Sequence, residues 1–225
     1  MSAYAISDIH GCKITFEKLL QKIRFSKKDE LFLLGDYVDR GPDSRGVLDF
    51  IFQLQSDGFS VKCLMGNHEE MLLQSAYDPE MRDMWLRNGG RETLQSFGAK
   101  SPAEIPQKYR DWMQNLPRYF EFENYLLVHA GLDFRLQNPL SDPGSLIWIR
   151  DWYDRMDYDW LAGRKIVHGH TPPAPGLIEQ QCIEFSKKQV LDIDAGCAWH
   201  TRAGMGWLCA FDLTEGILHF QEYHD

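Results

Sequence analysis

Short apolar runs that stop on a polar, metal-capable residue recur along this chain, and they constrain its fold more than any other feature. Residues 4–6 lead into Asp8, 31–34 into Asp36, 61–65 into Asn67, 125–128 into His129 and 165–167 into His168. Runs this short, bounded by turn-forming residues, read as buried strands. Between the first three lie stretches of helical period. Thr15 caps a helix with Phe16, Leu19, Leu20 and Ile23 on one face, and Asp43 or Ser44 caps a second striped by Val47, Leu48, Ile51 and Leu54. Strand, helix, strand, helix, strand predicts a parallel βαβ start, whose ligands gather at the carboxyl ends of the strands.

Residues 69–118 read as mostly helical, with a capping box at Ser101-Pro102-Ala103-Glu104, and 76–118 as an inserted helical cap. From Phe120 onward the pattern turns to strands, at 120–123, 125–128, 165–167 and 190–193, then a hairpin of 207–213 and 217–223 turning at Thr214-Glu215-Gly216. This half should be mixed or antiparallel. No repeat or long linker interrupts the 225 residues, so the expectation is one α/β domain over 1–225.

Charge narrows the partners. The chain has 24 Lys plus Arg against 33 Asp plus Glu, a net −9, which argues against nucleic acid because affinity for a phosphate backbone comes from cationic side chains releasing counterions. No apolar run approaches the roughly 20 residues that span a bilayer. The start of the chain has no basic segment and runs directly into Asp8, and the five cysteines are scattered without a Cys-x-x-Cys pair. These features lead us to expect a cytoplasmic protein with reduced thiols and no membrane partner. Cys197 and Arg202 are four residues apart with respect to intervening positions, one short of a cysteine-phosphatase loop.

The strand-end residues, with His10 two positions past Asp8 on the same face of extended chain, make a set of Asp8, His10, Asp36, Asn67, His129 and His168. Oxygen and nitrogen donors in this mixture suit manganese, iron or zinc. Six donors exceed one ion and fit two divalent transition metal ions, manganese foremost, which lower the pKa of a shared water. Arg40 supplies a guanidinium fork for phosphate. His68, adjacent to Asn67, is free to act as general acid with Asp39 orienting it. Each residue alone has an ordinary structural reading, but several buried strand ends with unsatisfied polar groups would cost about 1–3 kcal/mol each. His170, two positions past His168, is placed to face the site and reads at least as well as a supporting or structural histidine, and Cys12 reads as a passive thiol. Glu69 and Glu70 are expected to brace the Asn67-His68 loop.

Ser7-Asp8-Ile9-His10-Gly11, Gly35-Asp36-Tyr37-Val38-Asp39-Arg40-Gly41, Gly66-Asn67-His68-Glu69, His129-Ala130-Gly131 and His168-Gly169-His170-Thr171 follow one another in the order seen in the phosphoprotein phosphatases, and the chain resembles that family of metallophosphoesterases. The Asn88-Gly89-Gly90 segment and the small size are similar to its bacterial and bacteriophage-lambda branch. The resemblance implies an αββα sandwich with mixed sheets and a small helical cap. It implies one ion on Asp8, His10 and Asp36 and another on Asp36, Asn67, His129 and His168. His68 with Asp39 would be the proton-donating pair, Arg40 a phosphate clamp and Arg150 a second one. Ser7 stands where many relatives carry glycine.

The expected activity is a protein serine/threonine phosphatase, with phosphotyrosine as a further substrate class and phosphorylated protein or peptide as the partner. The alternative is a symmetrical bis(5'-nucleosyl)-tetraphosphatase. His10, where those enzymes usually carry Gln, and the Asp39-Arg40 pair weigh against it. A non-catalytic phosphate-binding protein is the remaining reading. Substrate choice should lie in residues 76–118 and 148–160, the latter an aromatic and acidic stretch able to stack on a nucleobase or a phosphotyrosine.

Overall fold

β1 (Ala3–Ile6), β2 (Glu30–Leu33) and β3 (Ser60–Cys63) pair in parallel, as the alternating pattern requires, with Ile6 opposite Leu33 and Leu33 opposite Cys63. The computed structural model describes residues 1–173 and 176–225. The C-terminal hairpin, β8 (Trp207–Asp212) and β9 (Ile217–Glu222), joins the same sheet antiparallel to β1, giving the order β3-β2-β1-β8-β9. A second sheet has the order β4-β5-β6-β7, from β4 (Tyr119–Phe122), β5 (Tyr125–Val128), β6 (Lys165–His168) and β7 (Val190–Asp192). β5, β6 and β7 are parallel, and β4 is antiparallel to β5.

Side-chain alternation explains the layers. Ala3, Ala5, Phe32 and Leu34 face the second sheet and meet Tyr125, Leu127, Val167 and Leu191. Tyr4, Ile6, Leu31 and Leu33 point the other way, onto α1 (Lys13–Lys22) and α2 (Ser44–Ser56). Leu126, Val128 and Ile166 leave the outer face of the second sheet to meet Leu146, Ile147 and Leu161. These come from α7 (Ser145–Trp148) and α8 (Tyr158–Leu161). The result is a helix, sheet, sheet, helix stack, the αββα sandwich that the sequence led us to expect. Each fully buried aliphatic or aromatic side chain in it contributes about 1.5–3 kcal/mol.

Between β3 and β4 run α3 (Asn67–Ser75), α4 (Pro79–Trp85), α5 (Arg91–Phe97) and α6 (Gln107–Gln114). α5 packs on α2, α4 and α6 pack on α3, and the block drives Trp85, Tyr109 and Met113 into the first core.

Several local expectations differ from the structure. Asp43 does cap α2, accepting the Gly46 amide at 2.8 Å. Thr15 does not cap α1, which already begins at Lys13; the amides of Ile14 and Thr15 are taken by the side chain of Asp225 at 2.7 and 3.0 Å. The capping box at Ser101 closes only a 3-10 turn at Pro102–Glu104, because α6 starts after Pro106. The helix α9 (Leu177–Lys188) lies where only strands and turns are expected.

Candidate active site

The donors reach one place because five residues on the loops that follow β1 and β2 adopt left-handed backbone. Asp8 and His10 have φ of 54° and 45°, Asp36 55°, Asp39 72° and Arg40 68°. Such conformations cost about 1–3 kcal/mol each and persist only when the surroundings fix them. Glu69 fixes the second loop at Asp36, its buried carboxylate accepting amides from Asp36 at 2.9 Å, Tyr37 at 2.8 Å, Val38 at 3.3 Å and Gly66 at 3.0 Å, while the Asp39 amide goes to Ser44 Oγ and Thr93 Oγ1. The two loops are also stitched directly, with the His10 amide on Asp36 O and the Gly11 amide on Tyr37 O, both at 2.8 Å.

Asp36 is the centre of the resulting cluster. His10 Nε2 lies 3.4 Å from its Oδ2 and 3.8 Å from Asp8 Oδ1, while His129 Nε2 lies 3.4 Å from its Oδ1 and 3.0 Å from Asn67 Oδ1. Two groups share Asp36: His10, Asp36 and His68 on one side, Asp36, His129 and His170 on the other. Burial raises the Asp36 carboxyl well above the ordinary aspartate range, with Asp8 and Glu69 adding repulsion. Burial also pushes His10 and His129 down, so their imidazoles are neutral, the form that binds a metal. Among the described residues Asp8 Oδ1 and His170 Nε2 are buried without a hydrogen-bond partner. Crowded carboxylates, neutral imidazoles and orphaned donor atoms fit a pair of divalent cations, which would relieve both the repulsion and the lost hydration.

One expected donor is displaced. β6 continues through His168, whose Nε2 meets the Tyr153 hydroxyl at 2.9 Å and whose Nδ1 meets Gly169 O at 2.9 Å. Both nitrogens are thus engaged away from the carboxylates. The chain then turns at His170, φ 78°, and returns that imidazole to Asn67 Oδ1 at 2.9 Å. His170, which the sequence leaves open, therefore takes the place in the cluster expected of His168. Burial, with His129 and Arg150 nearby, pushes His170 down to about 2.

His68 and Asp39 are joined as expected, Nδ1 to Oδ2 at 2.7 Å, with His68 Nε2 turned toward Asp36 Oδ2 at 3.9 Å. Burial lowers His68 and raises Asp39. Against that, Asp39 accepts from Thr93 Oγ1 at 2.6 Å and from Trp85 Nε1 at 2.9 Å. Those two partners come from the helical block, and nothing in its pattern singles them out. Gly89, at φ 109°, packs directly on Arg40; a Cβ there would come 2.5 Å from the Arg40 amide.

Arg40 contacts His10 Nε2 and lies over the Trp199 ring, 4.9 Å from its centroid; Arg202 stacks on the same ring at 3.8 Å. Arg150 is exposed, with Nε 3.4 Å from Thr171 Oγ1. Glu70 departs from its expected role: it takes Arg118 at 3.0 Å and the Trp148 indole at 2.7 Å instead of the Asn67-His68 loop. Cys12 is buried, its thiol on His10 O at 3.5 Å. Asp194, buried and raised by burial and by Asp8, follows strand 190–193 by the same strand-end rule and was not anticipated.

Residues 1–204 match the calcineurin-like phosphoesterase family. The chain belongs to that family. A relative from Nitrosospira multiformis, a symmetrical bis(5'-nucleosyl)-tetraphosphatase, is 35% identical over 135 residues, covering 59% of this chain and 44% of its own. The chain thus matches under half the length of such relatives. Among solved structures, a protein provisionally described as a diadenosine tetraphosphatase superposes with a TM-score of 0.69 at 19% identity, over 100% of this chain and 94% of its own. A protein serine/threonine phosphatase from Saccharomyces cerevisiae also reaches 0.69, at 17% identity, over 100% and 81%. At these identities the calcineurin-like fold is shared, and substrate is not decided by it.

The relatives correct one expectation about this calcineurin-like phosphoesterase. The expected partner, a phosphorylated protein or peptide, is overturned, because the curated relatives are named for a small dinucleotide substrate. No helix among the described residues is long and apolar enough to cross a membrane.

Proposed function

We propose that this metallophosphoesterase is a symmetrical dinucleoside tetraphosphatase, cutting its substrate into two nucleoside diphosphates. The observation that carries the reading is the match to curated relatives of that name over 59% of the chain. The arginines support it: Arg40, with Arg202 stacked beside it through Trp199, and Arg150 on the Thr171 side give cationic groups for a chain of several phosphates.

Asp8, His10, Asp36, Asn67, His129 and His170 would hold two divalent ions, manganese suiting their oxygen and nitrogen donors. When bound, such ions lower the pKa of water enough to supply a nucleophile at neutral pH. Arg40 and Arg150 grip phosphoryl oxygens through their guanidinium forks and fix the phosphorus for in-line attack. Asp39, its carboxyl raised by burial, holds its proton toward Nδ1 of His68, so the neutral imidazole carries its own proton on Nε2, gives that one to the departing phosphate oxygen and takes the Asp39 proton at Nδ1. Metal-stripped protein given diadenosine tetraphosphate, before and after manganese, tests the reading. Metal-dependent breakdown is expected, and none with any divalent metal rejects it.

A further inference from the structure

A pocket of about 260 Å³ opens beside the donor cluster, between the 149–153 segment and the strands β6 and β7, with α9 closing one side. Gly169 forms the wall toward the cluster. A Cβ on Gly169 would overlap Ser7 Oγ and Asp8 Oδ2, so only glycine backbone separates the pocket from Asp8. Arg150 stands at its mouth, its Nε 3.4 Å from Thr171 Oγ1, with both residues on the pocket lining. A phosphate held on Arg150 therefore directs the group attached to it into the pocket.

The interior suits a flat, uncharged heterocycle. Tyr153 is 43% exposed as a residue, its ring backed by Trp152 at a centroid distance of 4.8 Å and pinned through its hydroxyl to His168 at 2.9 Å. A ring fixed in this way offers a stacking face at little entropic cost. At the floor, buried Asp192 lies opposite His168 across the β6–β7 register. Gln181 Oε1 accepts the Asp192 amide at 2.8 Å, which fixes the carboxamide and leaves its NH2 for an acceptor on a ligand. Glutamine and aspartate side chains pair with the mixed donor and acceptor edges of nucleobases. Asp151 at the rim disfavours a second phosphate, and the buried Asp192, its carboxyl raised by burial, gives the floor a polar and weakly charged surface that suits the neutral end of a nucleotide. The volume accommodates one base, not a whole dinucleotide.

We propose that this pocket is the subsite for one nucleoside of the substrate, its base stacked on Tyr153 and its edge met by Gln181 and Asp192, with the adjoining phosphate on Arg150. The identity of that substrate rests on the tetraphosphatase reading. A phosphopeptide side chain would offer no acceptor to the Gln181 carboxamide NH2, whose Oε1 is already taken by the Asp192 amide.

The test uses the metal-loaded protein and two non-hydrolysable probes, α,β-methylene-ADP and methylenediphosphonate, which share the linked phosphonates and differ by the nucleoside. Calorimetric titration should show the nucleotide binding at least tenfold tighter than the bare diphosphonate. Tyr153→Ala should abolish most of that preference, leaving the diphosphonate affinity within twofold. Gln181→Ala, on the half-buried face of α9 and outside the Tyr153 packing, should reduce the preference severalfold and serves if the Tyr153 variant fails to fold. Equal affinities of wild-type protein for the two probes, or a preference unchanged in both variants, overturns the proposal. Nucleotide preference that depends on Tyr153 without turnover of diadenosine tetraphosphate would keep the subsite and remove the tetraphosphatase reading. Turnover without nucleotide preference would do the reverse.

Discussion

The Trp148 indole donates to Glu70 Oε2 at 2.7 Å, tying the segment that carries Arg150 to the helix that begins with Asn67 and His68. Arg118 braces the same carboxylate from the other side at 3.0 Å. One glutamate thus sets the distance between Arg150 and the donor cluster.

Removing that carboxylate should loosen Arg150 without touching a metal donor. Glu70→Ala leaves two partly buried donors unpaired, a loss of about 1–3 kcal/mol in stability. We expect KM for diadenosine tetraphosphate to rise about tenfold with a smaller change in kcat, metal content to stay at the wild-type level, and Glu70→Gln to recover part of the loss. Steady-state kinetics beside metal analysis checks this, and an unchanged KM would show that Arg150 is held by other contacts.

His68 has a different signature. General acid catalysis is worth about 10²–10⁴-fold, so His68→Asn should lower kcat by that range while leaving substrate affinity and bound metal nearly intact. A kcat within threefold of wild type would assign the proton to another group.

The two histidines of His168-Gly169-His170 should separate cleanly in a metal titration. His170→Ala removes a donor from the group with Asp36 and His129 and should lower the metal bound per chain or weaken the second ion about 10–100-fold. His168→Ala should retain both ions, since His168 is engaged with Tyr153 and Gly169. Mass-spectrometric metal counting after dialysis decides, and the opposite pattern would restore His168 as the donor.

Burial pushes His168 down from 6.5 to about 4. The unfolded chain takes up this proton as pH falls through 6.5, and the native protein only near 4. Between those values the unfolded state binds more protons, so the His168 contribution makes stability fall as pH drops, by up to about 1.4 kcal/mol per pH unit. Urea unfolding of metal-free protein from pH 7 to 4.5 should show a shallower decline for His168→Gln than for wild type. Parallel curves would mean the imidazole protonates freely in the folded chain.

Much of this arrangement is legible in the sequence because strand ends are. Asp8, Asp36, Asn67 and His129 each follow a short apolar run, and all four arrive in one cluster. His168 obeys the same rule and yet points elsewhere: the deciding event is a left-handed residue at His170, which no periodicity encodes. α9 is hidden for a related reason. Only Ile178 and Phe185 are buried along it and Ile183 is 84% exposed, so its apolar stripe is too thin to read. Thr15 looks like a cap, but the competing partner, Asp225, lies at the far end of the chain. Trp85 and Thr93, which hold Asp39, likewise join it only through tertiary packing.

The products of diadenosine tetraphosphate breakdown test the central claim most directly. Chromatography of a reaction containing manganese-loaded protein should show ADP as the single nucleotide product, accumulating at two molecules per substrate consumed. AMP with ATP in equal amounts, or intact substrate after prolonged incubation with each divalent metal, would contradict a symmetrical tetraphosphatase.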